Sequence, residues 1–293
     1  MISPEDESAR AGDGAGFGDA VTFAFGTPAE GLYGSARLGL VPGEPPRASG
    51  LGMLFHDGEV AAVGASGGAE VAQADWTDLA VGSVRTTIVD PLRAWDVAFE
   101  VEEGGFALRF EALGEPAEPA GAALATSAAD LHGYEQACRV TGVVRRGERR
   151  WNVACLGQRG HQWGAPDWER IALARTLGVW LEGGDGVVLS AVRPERAAGH
   201  EAELVGACLL AAGASVAVAD PRLSTTTDGD GRQRRAGLEL WIGEEDDLPR
   251  RGAGEAVCGT TLELGRLRLD CAFFHWRMDG REGAGRYDVL RRA

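Results

Sequence analysis

The chain has 293 residues, 44% of them hydrophobic, which is enough for two modest domains with their own cores and excludes global disorder. Its 44 acidic and 29 basic residues give a net charge of −15, which excludes the basic face that nucleic acid or an anionic membrane surface requires. All 29 basic residues are arginine, so Schiff-base chemistry, a lysine general base and a P-loop are excluded too.

Residues 1–19 are rich in Gly and Asp and start on the acidic stretch Met1-Ile2-Ser3-Pro4-Glu5-Asp6-Glu7. Without the apolar core of a signal peptide, they are expected to form a mobile arm. From residue 20 onward the hydrophobic pattern has period two. Short runs at residues 21–25, 32–40 and 52–63 read as strands. In Trp95-Asp96-Val97-Ala98-Phe99-Glu100-Val101 and Phe106-Ala107-Leu108-Arg109-Phe110, large apolar residues alternate with small or polar ones. Gly104-Gly105 turns the chain between them, giving a hairpin with one buried face. A stretch rich in Pro, Ala and Glu follows, and residues 116–129 are expected to link an N-terminal β domain (20–115) to a C-terminal one (130–293).

A second hairpin runs through Cys138, Val140, Gly142 and Val144, turns at Arg145-Arg146-Gly147-Glu148, and returns through Trp151, Val153 and Cys155. Further strands are expected at 186–192, 204–210, 238–242 and 262–278. Helical spacing is confined to residues 167–177 and 197–209, each long enough for one short helix. Many short strands with turn clusters between them predict an all-β barrel or sandwich. No apolar run reaches the length of a membrane span, so stable membrane insertion is not expected. The five cysteines form no C-x-x-C pair and are odd in number, which suits reduced thiols and a cytoplasmic protein.

One segment concentrates chemistry: Gly157-Gln158-Arg159-Gly160-His161-Gln162-Trp163-Gly164-Ala165-Pro166-Asp167-Trp168. His161 is the natural proton donor or acceptor near neutral pH. Trp163 and Trp168 can wall an apolar pocket and steady a developing cation. Arg159 can hold a carbonyl or carboxylate, or pair with Asp167. The plainer alternative is that the Trp pair plugs a barrel end, with Arg159 and Asp167 as a structural ion pair.

This segment resembles the Arg-Asp-His-Ser-Trp-Gly-x-Arg-Asp-Trp signature of the AttH-like and hydroxyneurosporene synthase (carotenoid 1,2-hydratase) family. That family is itself similar to kievitone hydratase and to lipocalin-like Diels–Alderases. Gly133-Tyr134-Glu135-Gln136 through Val140-Thr141-Gly142-Val143-Val144 resembles the strand opening the family's second domain, and Leu32-Tyr33-Gly34-Ser35-Ala36-Arg37 an early strand of its first. The run from Trp276 to Asp288 is similar to its closing Gly-x-Gly-x-x-Glu segment, with Asp288 in place of Glu. The resemblance implies two tandem lipocalin-like β-barrel domains around an apolar cavity. It also implies water addition to isoprenoid double bonds or ring closure in polyketides, without a cofactor. The signature His and Trp fall on His161 and Trp163. Gly160 stands where the signature has Asp, and Pro166 where it has Arg. The family's downstream Tyr-x-Asp is replaced by apolar Val187-Val188-Leu189-Ser190.

His275-Trp276 lies on a strand with large residues on both faces, which makes His275 a core histidine. His56 beside its Asp57-Gly58 turn is expected in solvent, and His132 and His200 in loops. No two histidines have metal-ligand spacing, so no metal is expected. The expected function is a cofactor-independent lyase or isomerase of natural-product biosynthesis, a hydratase, dehydratase or cyclase. Its substrate would be a hydrophobic terpenoid, polyene or polyketide. His161 would be the acid/base, oriented with the substrate by Arg159 and Asp167. Trp163, Trp168, Tyr134, Glu135, Trp276, Tyr287 and Asp288 would bind substrate. A pericyclase that only folds a polyene, and a non-catalytic carrier of an apolar ligand, are the alternatives. The expected partner is one hydrophobic small molecule, with the chain a monomer or homodimer.

Overall fold

The computed structural model describes residues 2–12, 16–119, 130–197, 202–211, 214–243 and 248–293. Nineteen strands of these residues form two antiparallel sheets. The first holds β1 (Gly18–Thr27), β2 (Leu32–Val41), β3 (Arg47–His56), β4 (Glu59–Glu70), β5 (Asp78–Val81), β6 (Val84–Asp90), β7 (Ala94–Glu100), β8 (Gly104–Ala112), β9 (His132–Arg146) and β10 (Arg149–Gly164). The second holds β11 (Ile171–Leu181), β12 (Gly186–Pro194), β13 (Leu204–Ala211), β14 (Ala214–Ala217), β15 (Asp220–Thr227), β16 (Gln233–Trp241), β17 (Arg250–Leu264), β18 (Leu267–Met278) and β19 (Arg281–Arg292).

Both sheets obey one rule. Each strand pairs with its neighbours in sequence, except that β10 returns to β1 and β19 returns to β11. The order is β4-β3-β2-β1-β10-β9-β8-β7-β6-β5 in one sheet and β14-β13-β12-β11-β19-β18-β17-β16-β15 in the other. The two free edges of each sheet are therefore consecutive strands, β4/β5 and β14/β15. At the second seam Val218 N–H donates to Ala207 O at 3.0 Å and Ala219 N–H to Trp241 O at 2.8 Å, which laces β13 to β16. Two edges joined this closely expose few unpaired backbone groups. The fold is all-β, as expected: two tandem, lipocalin-like up-and-down barrels.

Alternation puts the apolar residues inside. On β1, Val21, Phe23 and Phe25 face the first core, with Phe99, Phe106 and Phe110 across from them. Phe23 and Phe110 meet edge to face at 5.2 Å. The second core is built on Leu177, Val179, Leu189, Leu238, Phe274 and Trp276. Gly52 keeps β3 bare where Phe99 crosses it: a Cβ there would lie 2.1 Å from the Phe99 ring.

Four expectations need correction. The chain divides into one unit of Met1–Pro116 with Glu135–Ala165 and another of Ala117–Tyr134 with Pro166–Ala293. The 132–164 hairpin therefore completes the first barrel instead of opening the second domain. Its pairing partner β1 lies far away in sequence, and local composition carries no trace of such a contact. Residues 120–129 of the expected linker lie outside the described residues. The N-terminal arm is docked: Pro4–Glu7 forms one turn of 3-10 helix and Glu7 is buried. Residues 171–177 are strand β11, since Arg175, Leu177, Val179 and Leu181 all face inward at period two. Of the second expected helix, residues 198–201 lie outside the described residues and 204–209 belong to strand β13.

Phe23→Ala should lower the stability of the first unit by about 3–5 kcal/mol in urea titration, from lost transfer energy plus a cavity. Val60→Thr, on the half-exposed β4, should change it by no more than about 0.5 kcal/mol.

Candidate active site

Strands β1 and β10 pair with Asp19 opposite Trp163, Val21 opposite His161 and Phe23 opposite Arg159. Val21 and Phe23 face the first core. The same pleat therefore turns Asp19, Arg159, His161 and Trp163 into one end of the first barrel.

Asp19 is the centre of this group. Its Oδ1 lies 2.6 Å from His161 Nε2. Its Oδ2 accepts from the Arg10 backbone N–H at 2.8 Å and from Trp76 Nε1 at 3.0 Å. A carboxylate can only accept, so Nε2 of His161 is the donor at this contact. His161 and Asp19 are both fully buried. The imidazole is flanked edge-on by Trp163 at 5.1 Å and Trp76 at 6.1 Å. The Arg10 guanidinium lies 4.4 Å from the centre of the Trp163 ring.

A second buried pair lies beside the first. Arg159 forms an ion pair with Glu7 and stacks over Trp95 at 4.1 Å. Glu7 Oε1 also accepts from Trp95 Nε1 at 2.9 Å, and its other oxygen accepts from the Leu92 N–H. Arg159 Nη1 donates to Gln136 Oε1 at 3.2 Å. Gln136 in turn donates to Leu92 O and Gly114 O, each at 3.1 Å. Cys138 lies close to this cation, yet burial outweighs it and pushes the thiol up to about 12. It is an inert neutral group.

The expected site residues thus divide. Arg159, His161 and Trp163 come together. The carboxylate set on His161 is Asp19, which corrects the role expected for Asp167. Asp167 is exposed, and its Oδ1 accepts from the Glu169 N–H at 3.0 Å, shaping its own turn. Trp168 packs with Ile171 and Val192 in the second unit. Glu135 lies on the opposite face of β10 from His161, accepting from Gln158 Nε2 at 2.7 Å and Gln162 Nε2 at 3.2 Å. A Cβ on Gly160 would fall 2.3 Å from Glu135 Oε2, so only glycine admits that carboxylate. Tyr134 is fully buried.

Trp276 stacks on Phe274 inside the second barrel. Tyr287 is also inside it, its hydroxyl 2.7 Å from Thr225 Oγ1 and accepting from Arg175 Nη1 at 3.3 Å. Arg175 also forms an ion pair with Glu203. Asp288 faces the other way and chelates Arg286. His275 is half-buried, 3.4 Å from Glu282. His56, expected in solvent, is buried: it accepts from Arg146 Nη1 at 2.8 Å and packs on Trp151. His200 lies outside the described residues. Among the described residues no three His, Cys, Asp or Glu side chains converge as a metal site.

Glu7, Asp19, Trp76 and Trp95 were not anticipated. Asp19 had a signal, an acid in register with inward Val21, Phe23 and Phe25. Glu7 had none.

Glu7→Gln should strand the buried Arg159 charge and destabilise the first unit by about 3–5 kcal/mol in urea titration. Asp6 tunes the same segment: the Ser3 N–H, then Arg10 and the Ser3 hydroxyl, hold its carboxyl at about 2. A depressed acid stabilises above its unfolded value and loses that as pH falls through the folded one. Tryptophan emission should therefore report loosening of residues 2–12 between about pH 4 and pH 2, and Asp6→Asn should remove that step.

A family described as "Domain of unknown function (DUF7064)" matches residues 3–293. No curated protein matches the sequence. Among solved structures, CghA with Sch210972 superposes with a TM-score of 0.67 at 12% identity, over 94% of this chain and 89% of that one. An AttH protein from Nitrosomonas europaea gives 0.64 at 12%, over 93% and 91%. Kievitone hydratase from Nectria haematococca gives 0.62 at 10%, over 94% and 89%. At such identities the likeness is one of fold, the fold that the sequence resemblance implied. The match along nearly the whole length is decisive for kinship: the chain belongs to the DUF7064 family.

Proposed function

We propose that this protein is a cofactor-independent lyase or isomerase acting on a hydrophobic terpenoid, polyene or polyketide, with His161 as its acid/base. The observation that carries this reading is the buried Asp19–His161 pair at 2.6 Å between Trp76 and Trp163. A buried carboxylate on Nε2 orients the imidazole, which suits it to move a proton to an alkene or from a carbon acid. The surrounding indoles suit a developing carbocation and exclude water. Arg159 acts indirectly here, by anchoring Glu7 and the segment that closes this end of the barrel. Sharing a fold with kievitone hydratase supports this range of chemistry.

One observation favours a second reading. His161 and Asp19 are fully buried and bonded to each other, as members of a scaffold are. In that case the protein is a pericyclase that folds a polyene for ring closure, where orientation alone lowers the barrier.

Incubation with isoprenoids, polyenes and linear polyketides in oxygen-18 water, followed by mass spectrometry, separates the two. A product heavier by one labelled water, absent with His161→Gln and Asp19→Asn of unchanged melting temperature, is expected for the hydratase. Loss of general acid–base catalysis should slow turnover about 10²–10⁴-fold. An unlabelled isomer formed equally fast by both variants would establish the second reading instead.

A further inference from the structure

We propose that residues 2–12 are the gate of the His161 site: they close it with one of their own cations, and they lift away before a substrate reaches the imidazole. This rests on the reading that chemistry takes place at His161, and it adds the step that controls access to it.

His161 and Asp19 are fully buried, so in this arrangement neither is open to a ligand. Something has to move. The strands that carry the pair are held on both sides, β1 between β2 and β10, and β10 between β1 and β9. Opening either one breaks a ladder of backbone hydrogen bonds. Releasing residues 2–12 breaks none. Their backbone-to-backbone bonds, from Asp6 N–H to Ser3 O and from Ser8 N–H to Glu5 O, stay within the segment. Among the described residues, Ala9 is their one apolar side chain packed on the first core.

What holds the segment is polar. The Arg10 N–H donates to Asp19 Oδ2 at 2.8 Å, and Glu7 joins Arg159, Trp95 and the Leu92 N–H. Segments with few apolar contacts open at a fraction of the cost of global unfolding. Release admits water to Glu7 and Arg159 together, so neither charge is left dry. Gly16, just before β1, has a φ of 87° and open space where a side chain would be, which suits it to absorb the change of direction.

Arg10 is the part of the gate that meets the site. Its guanidinium lies 4.4 Å from the centre of the Trp163 ring, the indole that flanks His161 at 5.1 Å. A cation therefore already occupies the indole that would steady positive charge in a substrate. The other contacts of this guanidinium are to Asp6, with Nη2 2.9 Å from Oδ1 and 3.1 Å from the backbone O. Asp6 belongs to the same segment, so Arg10 and its counter-ion leave together. Arg10 Nε is buried without a partner while the segment is docked, and it gains water on release. The closed state is thus imperfectly satisfied at the residue that caps Trp163, which favours opening.

The test uses the full chain and no substrate. Hydrogen exchange followed by NMR should show the Arg10 amide, the donor to Asp19, exchanging at least about tenfold faster than the paired amides of β1 and β10. Diethylpyrocarbonate should modify His161 through the same opening, with the site read by mass spectrometry. Arg10→Ala removes the contacts to Trp163 and Asp6 and keeps the backbone bond to Asp19. It should raise the rate at His161 about tenfold. His56, buried in the same unit and bonded to Arg146, is the control, and its rate should not change. An equal rise at His161 and His56 would mean that the whole unit has loosened, and would overturn the proposal. So would an unchanged rate at His161. If Arg10→Ala does not fold, the wild-type exchange still decides, since an Arg10 amide that exchanges in one step with β1 and β10 leaves no separate opening. A segment that opens as expected, in a protein that converts no isoprenoid, polyene or polyketide, would sink the proposed lyase function and leave the gate standing. Turnover without separate opening would do the reverse.

Discussion

A carboxylate taken out of water must be surrounded by donors, and the first barrel is organised around that requirement at Asp19. Its two oxygens take hydrogen from three separate parts of the chain: the N-terminal segment through Arg10, the β4–β5 connection through Trp76, and β10 through His161. No two of these are local in sequence. Satisfying one acid thus fixes the docking of the N-terminus, the fold of the seam and the position of the histidine. Glu7 repeats the logic a few ångströms away, joining the same segment to Arg159, Trp95 and Leu92. Neither pair is a large net source of stability, because desolvation offsets most of the attraction. What they provide is a single arrangement, since any other leaves a charge stranded.

The polar groups of the second barrel follow a different plan. Its interior carries Arg175 with Thr225, Tyr287 and Glu203, while its outward face carries Arg286 with Asp288 and Cys271. Each arginine keeps one buried N–H without a partner, Nε in Arg175 and Nη1 in Arg286. Arg10 in the first unit likewise keeps a buried Nε without a partner, and there three Trp rings and three acids or amides crowd the barrel end. The two barrels share a topology and differ in what they bury.

Much of this fold was legible because period-two alternation is a local property. The hairpin through Trp95 and Phe106, and the runs around Val21 and Leu32, declared their inward faces directly. What composition hid was every pairing that spans the chain. The Pro- and Ala-rich stretch after residue 112 looked like a domain boundary, yet β9 and β10 cross back to close the first barrel. Strand β11 looked helical because Ala and Leu tolerate both conformations. For the site, sequence proximity singled out His161, Trp163 and Arg159 correctly as neighbours but promoted Asp167 for the same reason. The acid that reaches the histidine comes from a paired strand far away. Gly160 read as the loss of an acid. In three dimensions the bare position lets Glu135 lie against the strand, so an acid occupies that space from another part of the chain.

The span between Asp19 and His161 also bears on synthesis. They are 142 residues apart, and Glu7 and Trp95 are 88 apart. At a few to twenty residues per second, roughly ten to thirty seconds pass on the ribosome between the emergence of the acid and that of its histidine. Through that interval β1 has one of its two strand partners and lacks the other, and its hydrophobic face has only an open sheet to pack on. The half-made barrel is the stage most exposed to edge-to-edge aggregation. The acidic surplus of the chain acts in that window: like-charged nascent chains on one polysome repel each other before any native contact protects them.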